Sequence, residues 1–138
     1  PIYSDEDAGK READYNEIRL AEIYYSLAEC KFKANDVDGA AKLLNAVRKR
    51  NYPQDTWAEY LYKPEGTVTL TQDELYDEWG REFLAEGRRR TDLIRWGLYC
   101  TEEWWDKKPD ADSHWDIFPI PRDMMGADHT LKQNPGYN

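Results

Sequence analysis

The stretch DYNEIRLAEIYYSLAECKFKANDVDGAAKLLNAVRKR, residues 14–50, decides how this chain folds. Within it Ile18, Ala21, Tyr25 and Ala28 recur at steps of three and four, with Leu20, Tyr24 and Leu27 beside them, which is the stripe of an amphipathic helix. The spacing predicts a helix from Asp14 to Ala34, stopped by Asn35-Asp36. A second helix begins near Val37 or Asp38 and runs to about Arg50, with Ala40, Leu43, Leu44 and Val47 on its inner face and Pro53 closing it. So short a connection makes the two helices antiparallel neighbours. Ala28 and Ala40 are placed where the helix axes come closest, because a larger side chain at either position would force the pair apart.

This hairpin resembles one tetratricopeptide repeat: Tyr24, Leu27, Ala28, Phe32, the turn Asn35-Asp36, Ala40 and Leu44 fall at the offsets of that motif. One repeat cannot bury its outer faces, since roughly three are normally needed for stability, so the hairpin requires packing partners.

Outward from the hairpin the pattern changes. Residues 1–13 are polar, aperiodic and read as a loose lead-in. Residues 51–70 hold Tyr52-Pro53, Trp57, Tyr60, Tyr62 and Pro64-Glu65-Gly66, which fit no long helix and read as an aromatic loop. Thr71 and Glu74 form a capping box, and Leu75, Trp79 and Phe83 recur every four residues, so a third helix is expected from about Gln72 to Glu86, interrupted at Gly87. A short helix from Thr91 to Trp96 follows, then a Trp-rich loop through Trp104, Trp105 and Trp115. Ile117-Phe118-Pro119-Ile120-Pro121 must be extended, because each proline disfavours the helical region for the residue before it. Asn134-Pro135-Gly136-Tyr137 reads as a turn. The fold class is therefore all-α: a tetratricopeptide-like hairpin, further helices and long aromatic loops in a single domain spanning 1–138.

Composition narrows the function. The 138 residues carry 28 Asp plus Glu against 19 Lys plus Arg, a net charge of -9, so nucleic acid and anionic bilayers are repelled. Aromatic residues make up 14%, including 6 Trp and 10 Tyr, and that content argues for a folded chain despite 34% charged residues. No apolar run approaches the ~18 residues of a membrane-spanning helix, and the start of the sequence has no signal-peptide pattern. Lacking an initiating Met, the chain reads as a processed product, an engineered chain or a fragment. Cys30 and Cys100 have no CxxC spacing and are expected to be buried small apolar residues rather than a disulfide.

The densest ionisable cluster runs from Arg81-Glu82 through Glu86 to Arg88-Arg89-Arg90, Asp92 and Arg95, with Glu78, Glu82 and Glu86 along one helical face. Carboxylates one turn apart on one helix do not oppose each other across a cleft, and nearby arginines would lower pKa values where a general acid needs one raised. A structural ion network tying the third helix to its continuation is expected instead, and no catalytic residue is assigned. His114 and His129 have no partners at metal-ligand spacing, and Gly-rich phosphate loops, GxSxG and HExxH are missing. No metal and no cofactor is expected.

The aromatic surplus carries more information. Trp79, Phe83 and Trp96 follow helical patterns and belong to the core, whereas Trp57, Tyr60, Tyr62, Trp104 and Trp105 fall in loops. These five are the candidate ligand-binding residues, because flat aromatic faces stack on the apolar faces of sugar rings while nearby polar groups bond the hydroxyls. The competing reading for each is a buried peg that holds its loop down.

Five segments in order then point to a family. Arg19-Leu20-Ala21-Glu22-Ile23-Tyr24 with Ala28-Glu29; Leu44-Asn45-Ala46-Val47-Arg48; the run from Arg81 to Arg89 with Asp92-Leu93-Ile94-Arg95-Trp96-Gly97; Phe118-Pro119-Ile120-Pro121; and Gln133-Asn134-Pro135-Gly136-Tyr137 resemble the C-terminal portion of the SusD/RagB family. The resemblance implies a non-catalytic nutrient-binding lipoprotein of the Bacteroidetes outer membrane, exposed at the cell surface. It further implies capture of a glycan or oligosaccharide for polysaccharide utilisation, and its delivery to a SusC-type TonB-dependent transporter. Membrane association would come only through a lipid anchor, and that anchor and the N-terminal half of the family would both lie outside these residues. The family's motif residues are structural and its glycan contacts come from variable loops, so no binding residue transfers by position. A tetratricopeptide-like protein-interaction module without sugar binding is the alternative.

Overall fold

Ala34, Asn35 and Asp36 alone join the first two helices, α1 (Leu20–Lys33) and α2 (Val37–Arg48), in a computed structural model that describes residues 17–137. Asn35 takes a left-handed backbone (φ 60°), the Asn35 amide donates to the Phe32 carbonyl at 2.9 Å and the Asp36 amide to the Lys31 carbonyl at 2.9 Å. These two bonds close the end of α1 in a Schellman motif. Asp36 then caps α2, its carboxylate accepting from the Gly39 amide at 2.9 Å. The same carboxylate takes the Lys31 ammonium at 2.7 Å, and these donors hold Asp36 below the usual carboxylate range. The lead-in over residues 1–13 and the expected helix start at Asp14 lie outside the described residues.

The chain gathers into two compact units, Pro1–Glu78 and Trp79–Asn138. In the first, α1 and α2 pack on each other, and the tetratricopeptide-like pairing is observed. Ala21, Tyr25 and Ala28 of α1 and Ala40, Ala41, Leu44 and Val47 of α2 are buried, Ala28 and Ala40 completely. Leu61, Tyr62, Leu70 and Leu75 complete this core.

Residues 51–70 contain more helix than the sequence reading allows. A 3₁₀ turn at Gln54–Thr56 leads into one helical turn, α3 (Trp57–Tyr60). Pro53 precedes the turn in an extended conformation, and its carbonyl accepts from the Thr56 amide and hydroxyl at 3.0 and 2.8 Å. Beyond α3 the chain loops back so that Tyr62 and Val68 form an isolated parallel bridge. Gly66 is required there, because a Cβ at this position would run into the Leu61 backbone.

The third long helix, α4 (Gln72–Glu82), starts where the capping residue Thr71 accepts from the Glu74 amide at 3.1 Å. It ends four residues before the expected Glu86. Both Ala85 (φ 64°) and Gly87 (φ 77°) are left-handed, a backbone that cannot continue a helix. The next helix, α5 (Arg89–Arg95), begins two residues earlier than expected. Helix α6 (Arg122–Ala127) has no counterpart in the sequence reading; Pro121 stands just before its first residue, and the extended Ile117–Pro121 run leads into it. Among the described residues there are six α-helices and no strands, as the all-α class requires.

In the second unit the family-like segments at the end of the chain hold each other. The Gln133 side chain bonds the Ile120 backbone in both directions, accepting from its amide at 2.7 Å and donating to its carbonyl at 2.8 Å. Asn134 Nδ2 donates to the Phe118 carbonyl at 2.8 Å and the Tyr137 hydroxyl to the Ile117 carbonyl at 2.8 Å. An extended Pro-interrupted segment has no sheet partner, and these amide and phenol groups satisfy its backbone instead.

Candidate functional site

The five candidate aromatics fall into two groups, one in each unit. In the first, Tyr62 is fully buried. Its backbone amide donates to Asn45 Oδ1 at 2.9 Å and its carbonyl accepts from Asn45 Nδ2 at 2.8 Å. The Tyr62 hydroxyl donates to Glu74 Oε1 at 2.8 Å and accepts from Arg48 Nη1 at 3.2 Å. Burial, aided by the charge of Glu78, pushes this phenol far above its ordinary value. The ring therefore offers no open face and acts as the peg of its loop.

Trp57 and Tyr60 stand differently. Trp57 is half-buried, with Nε1 donating to the Tyr52 carbonyl at 3.0 Å and the Lys49 ammonium 5.0 Å from its ring centre. Tyr60 is exposed and stacks on Tyr52, centroids 4.7 Å apart and planes within 10°. The short helix α3 produces this grouping by placing Trp57 and Tyr60 three residues apart on one face. Tyr52, which no periodicity singles out, is thereby part of the cluster. The adjacent Glu59 carboxylate raises the Tyr60 phenol above its ordinary value.

Trp104 and Trp105 occupy a tight turn of the second unit. The Trp104 amide donates to the Lys107 carbonyl at 3.1 Å and the Lys107 amide to the Trp104 carbonyl at 2.9 Å. Trp104 is half-buried beneath the Lys107 ammonium, 5.0 Å from its ring centre. Trp105 is 95% exposed. Of the five candidates it presents the most surface to solvent.

The charged cluster is built into packing. Glu78, which the sequence reading gives to the arginine run, is buried, pairs with Arg48 of α2 and accepts from the Tyr25 hydroxyl at 2.9 Å. Arg48 also donates to the Tyr60 carbonyl at 2.7 Å through Nη2. In the second unit Asp92, 2% exposed, takes Arg88 Nε at 3.0 Å and Arg95 Nε at 2.9 Å. Those guanidiniums in turn lie over aromatic rings: Arg88 over Trp79 and Phe83 at 4.7 and 4.8 Å, Arg95 over Trp79 and Trp96 at 5.0 and 4.5 Å. Trp79 and Phe83 are buried as expected, and Trp96 is half-buried. A buried carboxylate bonded by two arginines is a structural anchor.

His114 donates its backbone amide to Asp112 at 2.9 Å and packs its ring against Trp115 and Tyr137, centroids 4.4 and 5.2 Å away. Among the described residues no group of three or more His, Cys, Asp or Glu could hold a metal ion. Both cysteines are free. Cys100 is buried, but Cys30 is exposed, contrary to expectation, because it continues the outward stripe Leu20, Ile23 and Leu27 on α1. No described helix is long and apolar enough to cross a membrane.

Comparison with known proteins supplies what local geometry does not. A model described as the SusD family matches residues 4–114. The starch-binding protein SusD of Bacteroides thetaiotaomicron is 37% identical over 132 residues, covering 87% of this chain and 21% of that protein. A SusD-like protein P25 of Formosa agariphila is 36% identical over 82 residues, covering 59% of this chain and 15% of that protein. The matched part is thus about a fifth of the length of these curated relatives or less.

Proposed function

The chain belongs to the SusD family, and from that premise we propose that it is part of a non-catalytic glycan-binding protein of nutrient uptake, working at the outer surface of the outer membrane. In this reading the protein is held there by a lipid anchor, captures an oligosaccharide and passes it to a SusC-type TonB-dependent transporter. The observation that carries the reading is the 37% identity to a protein named for binding starch. The half-open aromatic cluster of Trp57 and Tyr60 and the turn bearing Trp104 and Trp105 supply surfaces of the right chemistry, since indole and phenol faces stack on sugar C–H groups. Tyr62 holds the loop on which Tyr60 sits.

Calorimetry of the full-length protein against a panel of soluble glycans tests the proposal. Alanine replacements at Trp57, Tyr60, Tyr62, Trp104 and Trp105 then sort contact from support. A contact residue weakens binding by about tenfold, roughly 1.4 kcal/mol, with an unchanged melting temperature, whereas a well-packed peg costs about 3–5 kcal/mol of stability. Copurification with the transporter tests delivery.

A second reading, a protein-interaction module without sugar, draws on the exposed stripe Leu20, Ile23 and Leu27 of α1. Failure to bind any glycan, together with loss of a protein partner on Leu27→Glu, would favour it.

A further inference from the structure

Trp105 combines two properties that seldom coincide: its indole is 95% exposed, and the backbone beneath it is tightly held. The two bonds between Trp104 and Lys107 close a two-residue turn with Trp105 and Asp106 at its tip. Lys107 is tied to Asp110 at 2.8 Å, and the Asp110 amide donates to the carbonyl of buried Cys100 at 2.8 Å. Lys108 pairs with Glu103 across the same turn. The indole is thus presented on a base that needs little further ordering when a ligand arrives, and preorganisation of this kind raises affinity.

The surrounding charge narrows the ligand. Between Glu102 and Asp110 the chain carries Glu102, Glu103, Asp106 and Asp110 against Lys107 and Lys108, and both lysines are already engaged by carboxylates of the segment. An anionic sugar approaching Trp105 meets Glu102 and Asp106, which repel it. A neutral pyranose meets an apolar ring for its C–H face and carboxylate acceptors for its hydroxyls. A single ring without enclosing walls takes one sugar unit at a time, which suits successive residues of a polysaccharide.

Resting on the glycan-binding reading above, we infer that the Trp104–Lys107 turn is a stacking platform for neutral glycans, with Trp105 as the contact residue. The test measures binding of the full-length protein and its Trp105→Ala and Trp105→Tyr variants to four probes: soluble starch and a soluble mixed-linkage β-glucan as neutral glycans, polygalacturonate as an anionic one, and phosphatidylcholine vesicles. The expected result is binding to at least one neutral probe, weakened about tenfold in Trp105→Ala at an unchanged melting temperature and largely kept in Trp105→Tyr. Unchanged neutral-glycan affinity in Trp105→Ala overturns the inference and leaves the glycan-binding reading standing. So does tighter binding of polygalacturonate than of either neutral probe. Binding of no glycan overturns both, and Trp105-dependent binding to vesicles alone would assign the turn to a lipid surface instead.

Discussion

Asn45 on α2 and Tyr62 in the following loop bond each other as two strands would, the side-chain amide of one reading both the N–H and the C=O of the other at 2.9 and 2.8 Å, with both residues fully buried. A loop that leaves a helical hairpin must satisfy its buried backbone somewhere, and here one asparagine does so. Replacing Asn45 with Ala takes the acceptor from the buried Tyr62 N–H, while the Tyr62 carbonyl keeps the Glu65 and Gly66 amides at 3.1 Å. The expected loss is about 1–3 kcal/mol, the penalty for one buried donor left without its acceptor, read by urea denaturation. Loss below about 1 kcal/mol would mean water replaces the amide.

The buried pair Arg48–Glu78 makes a sharper prediction. Arg48→Met takes the Arg48 guanidinium away from the buried Glu78 carboxylate, and should cost about 3–5 kcal/mol. The double variant Arg48→Met, Glu78→Leu should recover much of that loss, because two apolar side chains need no mutual compensation. Additive losses in a double-mutant cycle would show that the two residues act independently.

Ala28 and Ala40 are completely buried in the hairpin. Leucine at either site should destabilise the protein by about 1–3 kcal/mol through overpacking. Thermal denaturation that leaves both variants at the parent midpoint would contradict the close approach of the helices.

Tyr62 also sets an alkaline limit. Its phenol, ordinarily at 10.0, is raised in the fold by burial and by the Glu78 and Glu74 carboxylates. The folded state holds the proton more tightly than the unfolded one, so this contribution is fully present below pH 10.0 and is lost as pH climbs above it. The urea midpoint should therefore fall as pH rises above about 10, and Tyr62→Phe should flatten part of that slope. Equal slopes in the two proteins would exclude Tyr62 as the cause.

The stripe Leu20, Ile23 and Leu27 faces outward from α1, 70%, 55% and 49% exposed. A surface of this kind binds hydrophobic dyes and drives association. Leu27→Glu should reduce dye binding and any self-association seen by sedimentation, with little change in melting temperature. An unaltered dye signal would place the apolar surface elsewhere.

Sequence reading is strongest where periodicity and capping act locally. The steps of three and four through Ala21, Tyr25 and Ala28, the Asn35-Asp36 stop and the Thr71 cap depend only on neighbours along the chain, so the hairpin and the start of α4 are legible in the amino-acid sequence alone. The family resemblance is legible for a related reason: Gln133, Asn134 and Tyr137 do a defined job for the backbone of residues 117–120, and residues bound to such a job make recognisable motifs. What only the tertiary structure decides concerns aromatics and charges whose partners lie far away in sequence. Nothing local distinguishes Tyr62, buried by Asn45 and Arg48 of α2, from Trp105, held out on a two-residue turn, although both are loop aromatics beside charged residues. Glu78 likewise reads as one acid in a stripe of acids until α2 brings Arg48 to it. Burial is a property of what packs around a residue, and that is settled by contacts 14 or 30 positions away along the chain, not by the neighbours that set helix and turn.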